Sequence, residues 1–274
     1  MLYNNFMVLM LAQGGLGNML FQIAFGVNQA LKNSTDFSVV NYIENSREIK
    51  GLHNSKPSDY LNNIFEKVSQ NCVPFVSENK YYFHNIDHFE YKSIEYFPEF
   101  SNVYKGYFQS YKFFLENDEV IKSLFEPKKE IIDQILKKYP KIADNSVSIH
   151  IRRGDYLYRP HHHPVLPIKY YNDTLSTLNN QNVFVFSDDI QWCVDNFDKS
   201  FNFVREPDWL SLYMMSLSDS LIIANSSLSW WAAKLASWRN ENIKVYRPSI
   251  WFGPALQNHN LKDMFPDNWN EVKI

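Results

Sequence analysis

The first hydrophobic block of the chain, residues 6–12, is unbroken and short. It is about a third of the ~20 apolar residues a membrane span needs, and its length suits a buried strand. Gln13-Gly14-Gly15-Leu16-Gly17-Asn18 interrupts it. Leu20, Ile23, Ala24, Val27, Ala30 and Leu31 then recur at spacings of three and four. This reads as strand, glycine-rich turn and helix, the opening of an α/β domain. From 33 to 105 the pattern weakens. Val39-Val40 opens a strand, 45–60 is polar loop, and 81–100 is aromatic-rich with little periodicity. Gly106 to Tyr111 reads as a strand end running into a helix over 112–115. The stretch 116–139 is expected to contain a charged amphipathic helix, with Ile131, Ile132, Ile135 and Leu136 on one face.

After the polar stretch 140–145 the alternation becomes regular. Strands are expected at 147–151, 183–186, 201–204, 221–224 and 244–246. Helices are expected at about 168–178, 190–196, 208–218 and 227–238, with a loop over 152–167. Short apolar strands alternating with helices predict a parallel sheet with helices on both faces. The fold class is therefore α/β, with two domains facing each other: 1–143, then 144–250, and a tail over 251–274 that packs back toward the first.

Composition removes alternatives. Hydrophobic residues make up 45% of the 274, enough to bury a core. The 27 basic and 30 acidic side chains leave a net charge of −3, without the basic excess of a nucleic-acid binder. Two cysteines far apart in sequence exclude a disulfide framework and fit a reducing, cytoplasmic setting. Residues 6–12 lack the flanks of a signal peptide. Aromatics are the outlier, with 21 Phe, 17 Tyr and 7 Trp. Most belong to a core, although Tyr and Trp also stack on sugar rings and bases.

In open α/β sheets ligands sit beyond the carboxyl ends of strands, and four clusters occupy such positions. Gly14, Gly15 and Gly17 with Asn18 let backbone approach a ligand at a helix N-terminus, though their spacing is not the dinucleotide fingerprint and a plain tight turn is an equal reading. His150-Ile151-Arg152-Arg153-Gly154-Asp155-Tyr156 places two of only seven arginines side by side. That pairing fits bidentate recognition of a diphosphate, and an Arg–Asp bridge pinning the loop is the alternative. Asp188 and Asp189 follow another strand. They suit ribose hydroxyls, a guanine edge or a metal-bound diphosphate, while Ser187 or Asp188 also suits a helix cap. Asn225, Ser226, Ser227 and Ser229 precede and open a helix carrying Trp230 and Trp231, where hydroxyls and free N–H groups make a phosphate cradle. His161, His162 and His163 are consecutive and cannot easily converge on one metal, and no Cys/His metal spacing is present.

Together these stretches, with Leu20-Phe21-Gln22, Gly106-Tyr107-Phe108-Gln109-Ser110, Val185 to Cys193 and Trp251-Phe252-Gly253-Pro254, resemble the bacterial-type α-1,2-fucosyltransferases of glycosyltransferase family 11. The resemblance runs over essentially the whole chain. It implies a GT-B-like fold of two Rossmann-like domains facing across a cleft, with the acceptor and glycine-rich loop on the N-terminal side and the donor on the 144–250 side. It implies transfer of L-fucose from GDP-β-L-fucose, with inversion, to the 2-OH of a terminal galactoside, and no metal or other cofactor. Its partners would be that donor and a galactose-terminated glycan, with no nucleic acid and no membrane span. Arg152 is the expected catalytic cation at the diphosphate, with Arg153, Ser226, Ser227, Asn225 and the three glycines around the donor. Asn18 would reach the phosphate or fucose, and His150, Asp188 and Asp189 would hold the nucleoside. Asp155 is the candidate base, with His163 a weaker one; alternatively Asp155 only orients Arg153. Tyr156 and Trp251 are candidates for sugar contact. The sequence departs from the family at Ala232-Ala233-Lys234 and in the His-rich segment after Asp155.

Overall fold

The computed structural model describes residues 6–40, 55–73, 80–179 and 182–274. These form two compact units. The first holds the described residues up to Phe125 together with His259–Pro266. The second holds Glu126–Asn258 and Asp267–Ile274.

In the first unit, β1 (Met7–Leu11) leads through the turn at Gly14 into α1 (Leu16–Lys32). Gly14 adopts φ +82°, where a side chain would be strained, and a Cβ there would meet Asn18 Nδ2 at 2.5 Å. The strands that follow are β2 (Asp36–Val40), β3 (Cys72–Val73), β4 (Tyr81–Asn85) and β5 (Ser101–Lys105), and α2 spans Asp118–Phe125. Among the described residues the sheet is parallel throughout, in the order β3-β2-β1-β5-β4. The direction of winding therefore reverses between β1 and β5. Val39-Val40 ends β2 rather than starting a strand. Of the expected loop 45–60, residues 45–54 lie outside the described residues; Pro57–Tyr60 form a 3₁₀ turn.

One expectation in this stretch needs correcting. The strand before Gly106 ends at Lys105, and residues 112–115 do not form a helix. Short 3₁₀ turns at Tyr111–Phe113 and Leu115–Asn117 stand there. The amphipathic helix expected within 116–139 is α3 (Lys129–Lys138), and a separate short helix, α2, precedes it. Pro127 lacks an N–H and drives Glu126 out of the helical region, so the ladder cannot continue.

The second unit contains α3, β6 (Ser146–Ile151), α4 (Ile168–Ser176), β7 (Asn182–Ser187), α5 (Ile190–Asn196), β8 (Asn202–Phe203), α6 (Asp208–Leu217), β9 (Ser220–Ile222), α7 (Ser227–Arg239), β10 (Lys244–Pro248) and β11 (Asn270–Val272). Its sheet is also parallel, in the order β11-β10-β9-β6-β7-β8, and reverses between β6 and β9. Val147, Ile149, Ile151, Val185 and Ile222 pack with Tyr170, Tyr171 and Phe197 into one core. Trp230 and Trp231 are fully buried and meet edge to face at 5.3 Å, wedging α7 against the sheet.

The division falls at 125/126 rather than 143/144. Helix α3 goes with the second unit because Tyr139 at its end hydrogen-bonds Glu206 at 2.7 Å and Ser146 grips the turn after it through the Ile142 carbonyl. The expected tail is also split. Only 259–266 joins the first unit, where the Asp263 carbonyl accepts from Ser110 Oγ at 2.7 Å. Trp269 packs on Trp230, and β11 extends the second sheet. No helix among the described residues is long and apolar enough to cross a membrane.

Candidate active site

In the second unit the loops after β6, β7 and β9 leave the sheet at its carboxyl edge, around the point where the winding reverses. That is where an open α/β sheet offers a crevice. The parallel register brings the strand ends together: Ile151 faces Ser187 across the β6–β7 pair.

Arg152 is the hub. Its Nη2 donates to Asp155 Oδ1 at 2.6 Å, and its Nε pairs with Asp188 Oδ2 at 3.2 Å. Burial works against its charge, but Asp188, Tyr156 and Asp155 more than offset this, so the guanidinium is held cationic. Nη1 takes part in no ion pair or hydrogen bond among the described residues. The ring of Tyr156 lies 5.5 Å below the guanidinium. Arg153 is used differently. Its Nε donates to Asp189 Oδ2 at 3.1 Å, and its guanidinium stacks on Trp192 at 3.8 Å.

Asp155 therefore pairs with Arg152, not with Arg153. The caps are redistributed too. Asp189, not Ser187 or Asp188, caps α5, accepting from Trp192 N at 3.4 Å. Asp188 instead accepts from the Arg153 backbone N–H at 2.9 Å. It crowds Gly154, where a Cβ would stand 2.5 Å from Asp188 Oδ2. Trp192 and the pinning role of Asp188 were silent in the sequence, because nothing local tells which of three consecutive polar residues turns toward a loop more than thirty residues away.

After β9, Ser226 occupies the N-cap position of α7 without a side-chain capping bond, and the first turn holds no acidic residue. A helix N-terminus of this kind, with its dipole uncompensated by an acidic residue, favours an anion. Ser229 is turned inward, its Oγ on the Ala224 and Ser226 carbonyls, so it does not join the cradle. Asn225 is at the site but faces the loops: its Nδ2 donates to Pro164 O at 3.0 Å and Trp251 O at 3.1 Å, while its carbonyl accepts from Tyr156 OH at 2.8 Å. It ties together the loops after β6, β9 and β10. Tyr156 and Trp251 are buried, 8% and 5% exposed, and act as supports beneath the edge rather than as sugar platforms.

His150 lies within β6 and is buried. Burial, helped by Arg152 and opposed by Asp188, lowers its pKa to about 4, so the ring is neutral. His163 stacks on Tyr156 at 4.9 Å, and burial with nearby His162, Arg152 and Arg159 lowers it to about 4 as well, which makes it a poor base. His161 and His162 hold the chain after β10 through their carbonyls, which accept from Ala255 N and Gly253 N. Among the described residues no group of three or more His, Cys, Asp or Glu is arranged to hold a metal.

The first unit carries its own edge site where β1 and β5 lie adjacent. Gln22, fully buried, accepts from Gln13 N at 3.0 Å and donates to the carbonyls of Gln13 and Gly106, stitching the two strand-end loops. Gly15 begins α1 with no side-chain cap. Asn18 sits one turn along, and its Oδ1 accepts from Gln109 Nε2 at 2.8 Å. Gln22 and Gln109 were not singled out from sequence, although both lie in stretches that carry the family resemblance.

The family model of glycosyl transferase family 11 matches residues 65–273. An α-1,2-colitosyltransferase of Escherichia coli is 28% identical over 299 aligned residues, spanning 95% of this chain and 97% of the relative. The O-antigen biosynthesis glycosyltransferase WbnK of Escherichia coli is 31% identical over 182 residues, 60% of this chain and 58% of the relative. Among solved structures, the α-1,6-fucosyltransferase NodZ, co-crystallised with GDP, superposes with a TM-score of 0.51 at 11% identity, covering 84% of this chain and 92% of that one. The fold is GT-B-like.

Proposed function

The chain belongs to glycosyl transferase family 11, and on that premise we propose that it transfers L-fucose from GDP-β-L-fucose, with inversion, to the 2-OH of a terminal galactoside, without a metal. The observation that carries the reading is Arg152. It is a cation fixed by two carboxylates with Nη1 uncommitted, on the same sheet edge as the uncapped N-terminus of α7.

As the glycosidic bond breaks, negative charge accumulates on the β-phosphate of departing GDP. Arg152 and the Ser226–Ser227 turn stabilise it, the guanidinium by charge and the helix by its N–H groups. Arg153, Asp188 and Asp189 keep the loop in place, and the same carboxylates border the nucleoside position. Asn225 holds the three loops in register. Asp155 acts mainly by orienting Arg152. Two supports come from similar proteins: the linkage in the name of the Escherichia coli relative is α-1,2, and the NodZ structure was co-crystallised with GDP.

A thermal-shift screen tests the donor. GDP raises the melting temperature while UDP and CDP at equal concentration do not, because only a ligand of the native state stabilises it. A preference for UDP rejects the reading. A second reading, α-1,2 transfer of colitose, is favoured by the 28% identical relative. Colitose is L-fucose without its 3-hydroxyl. A site that hydrogen-bonds this hydroxyl discriminates by about 10⁴–10⁵ in kcat/KM, and one that does not barely discriminates. Competition between the two GDP-sugars decides.

A further inference from the structure

Tyr156 and Trp251 lie buried beneath the strand edge of the second unit, so neither offers a face to a sugar. The turn that carries Tyr156 also carries an exposed aromatic. Asp155–Tyr158 form a 3₁₀ turn after β6, and side chains three residues apart eclipse in such a turn. Tyr158 therefore stands on the same face as Asp155, about 6 Å further along the turn. Asp155 itself accepts from Arg152 Nη2 at 2.6 Å, so this face begins at the cation. Tyr158 is 64% exposed, the most of any large apolar side chain among the described residues, and Leu157 beside it is 48% exposed. Single exposed apolar residues are ordinary, but these two are consecutive and held on a tied-down backbone. The Leu157 N–H donates to the Arg153 carbonyl at 2.9 Å and the Arg159 N–H to the Tyr156 carbonyl at 3.1 Å, while the N–H groups of His162 and His163 both close on the Arg159 carbonyl. Tyr156 roots the turn through its hydroxyl on the Asn225 carbonyl, and His163 stacks on its ring. A Cβ on Gly253 would meet the His161 carbonyl oxygen at 2.5 Å, so the chain after β10 lies tightly on the segment that follows the turn.

We propose that Tyr158 is the platform for the acceptor: the apolar face of the galactose ring stacks on its phenol, with the 2-hydroxyl turned toward the reacting centre at Arg152. This rests on the transfer reading above, and it gives the second unit a part in acceptor choice as well as in donor binding. Galactose suits the surface. Its axial 4-hydroxyl leaves the hydrogens on C3, C4 and C5 together on the opposite side, an apolar patch that matches one aromatic ring. Tyrosine suits the task, because it offers a broad amphipathic face with only two side-chain torsions to fix.

The test compares Tyr158→Ala and Tyr158→Phe with wild type in the full chain, using lactose and methyl β-D-galactoside as acceptors. Both variants should melt like wild type, because the side chain is exposed. Tyr158→Ala should raise KM for both galactosides about tenfold, the effect of losing one ring face of apolar contact, and change kcat by less than about twofold. Tyr158→Phe keeps the ring and should restore KM nearly to wild type. GDP affinity by calorimetry should be the same in all three. Binding read without turnover, by saturation-transfer NMR of lactose with GDP present, should weaken in Tyr158→Ala alone. An unchanged KM in Tyr158→Ala, or a phenylalanine variant as poor as alanine, overturns the stacking role. A rise for lactose alone overturns it too, since the ring would then lie against the glucose. A fall in GDP affinity places a base rather than a sugar on Tyr158 and likewise overturns it. Lactose binding that depends on Tyr158 in a protein whose wild type never turns over GDP-fucose refutes the transfer reading and retains the platform. An α-1,2 product formed by Tyr158→Ala with unaltered KM does the reverse.

Discussion

Replacing Arg152 by lysine separates charge from geometry at the proposed leaving-group site. Arg152 stands 2.6 Å from Asp155 and 3.2 Å from Asp188, whose side chains are only 15% and 11% exposed. One such charge contact at about 4 Å is worth about 4 kcal/mol at an effective dielectric of about 20. Deleting the cation outright leaves two carboxylates uncompensated, a loss of about 3–5 kcal/mol against a typical total stability of about 5–15 kcal/mol. Arg152→Ala therefore confounds folding with chemistry. Arg152→Lys keeps the charge, but a single ammonium cannot face both carboxylates and a diphosphate, since it lacks the planar fork. The expected result is a melting temperature lower by only a few degrees, roughly the effect of 1 kcal/mol or less. GDP binding by calorimetry should weaken clearly, and kcat/KM from coupled GDP release should fall about 10²–10³-fold. If GDP affinity and kcat/KM both stay within about twofold of wild type, Arg152 is not the charge-stabilising donor, whatever its place in the loop.

Three further outcomes follow from the same geometry. Asp155→Asn should weaken GDP binding and lower kcat/KM together, with the shape of the pH–rate profile retained; loss of the acidic limb with GDP affinity intact would instead make Asp155 the base. Ser226→Ala should leave the melting temperature nearly unchanged, since no capping bond is lost, where a capping serine would give up about 1 kcal/mol; its GDP affinity should fall, and the opposite pattern would make Ser226 a structural residue alone. His150 and His163 both have folded pKa values near 4, below the ordinary 6.5, so the unfolded chain takes up more protons between those limits. Their contribution to stability is complete above about pH 6.5 and is lost as pH falls toward 4, with a ceiling of about 3 kcal/mol per imidazole. Urea midpoints across that range should drop, and His163→Phe should flatten part of the slope; flat midpoints in the wild type would contradict the burial of these rings.

The second unit was legible because its strands are short apolar runs separated by helices of ordinary length, and each chemical cluster stands directly after a strand. What escaped depended on distance or on a single residue. Helix α2, eight residues long and closed off by Pro127, is too short to stand out by periodicity. The αL turn at Phe108 converts an expected helix into 3₁₀ turns, and a buried phenylalanine gives no hint of positive φ. Strand β11 is three residues long and mostly polar, and only its pairing with β10 defines it. Within the site, residue types were readable but partners were not. Asp155, Asp188 and Asp189 all suit an arginine, and which carboxylate meets Arg152 is decided by the turn at Gly154. Asn225 looked like a phosphate ligand because an amide suits either task; only the carbonyls of Pro164 and Trp251 show it as a clamp. Gln109 pairs with a residue 91 positions away, beyond any local pattern.

The central claim is a reaction, and one measurement addresses it directly. GDP release from GDP-β-L-fucose is followed with and without lactose, and the product is submitted to linkage analysis. The account predicts release that depends on the galactoside, without added metal, and a single product bearing fucose in α-1,2 linkage on galactose. Release indifferent to the galactoside, or a product with fucose at another hydroxyl, contradicts it.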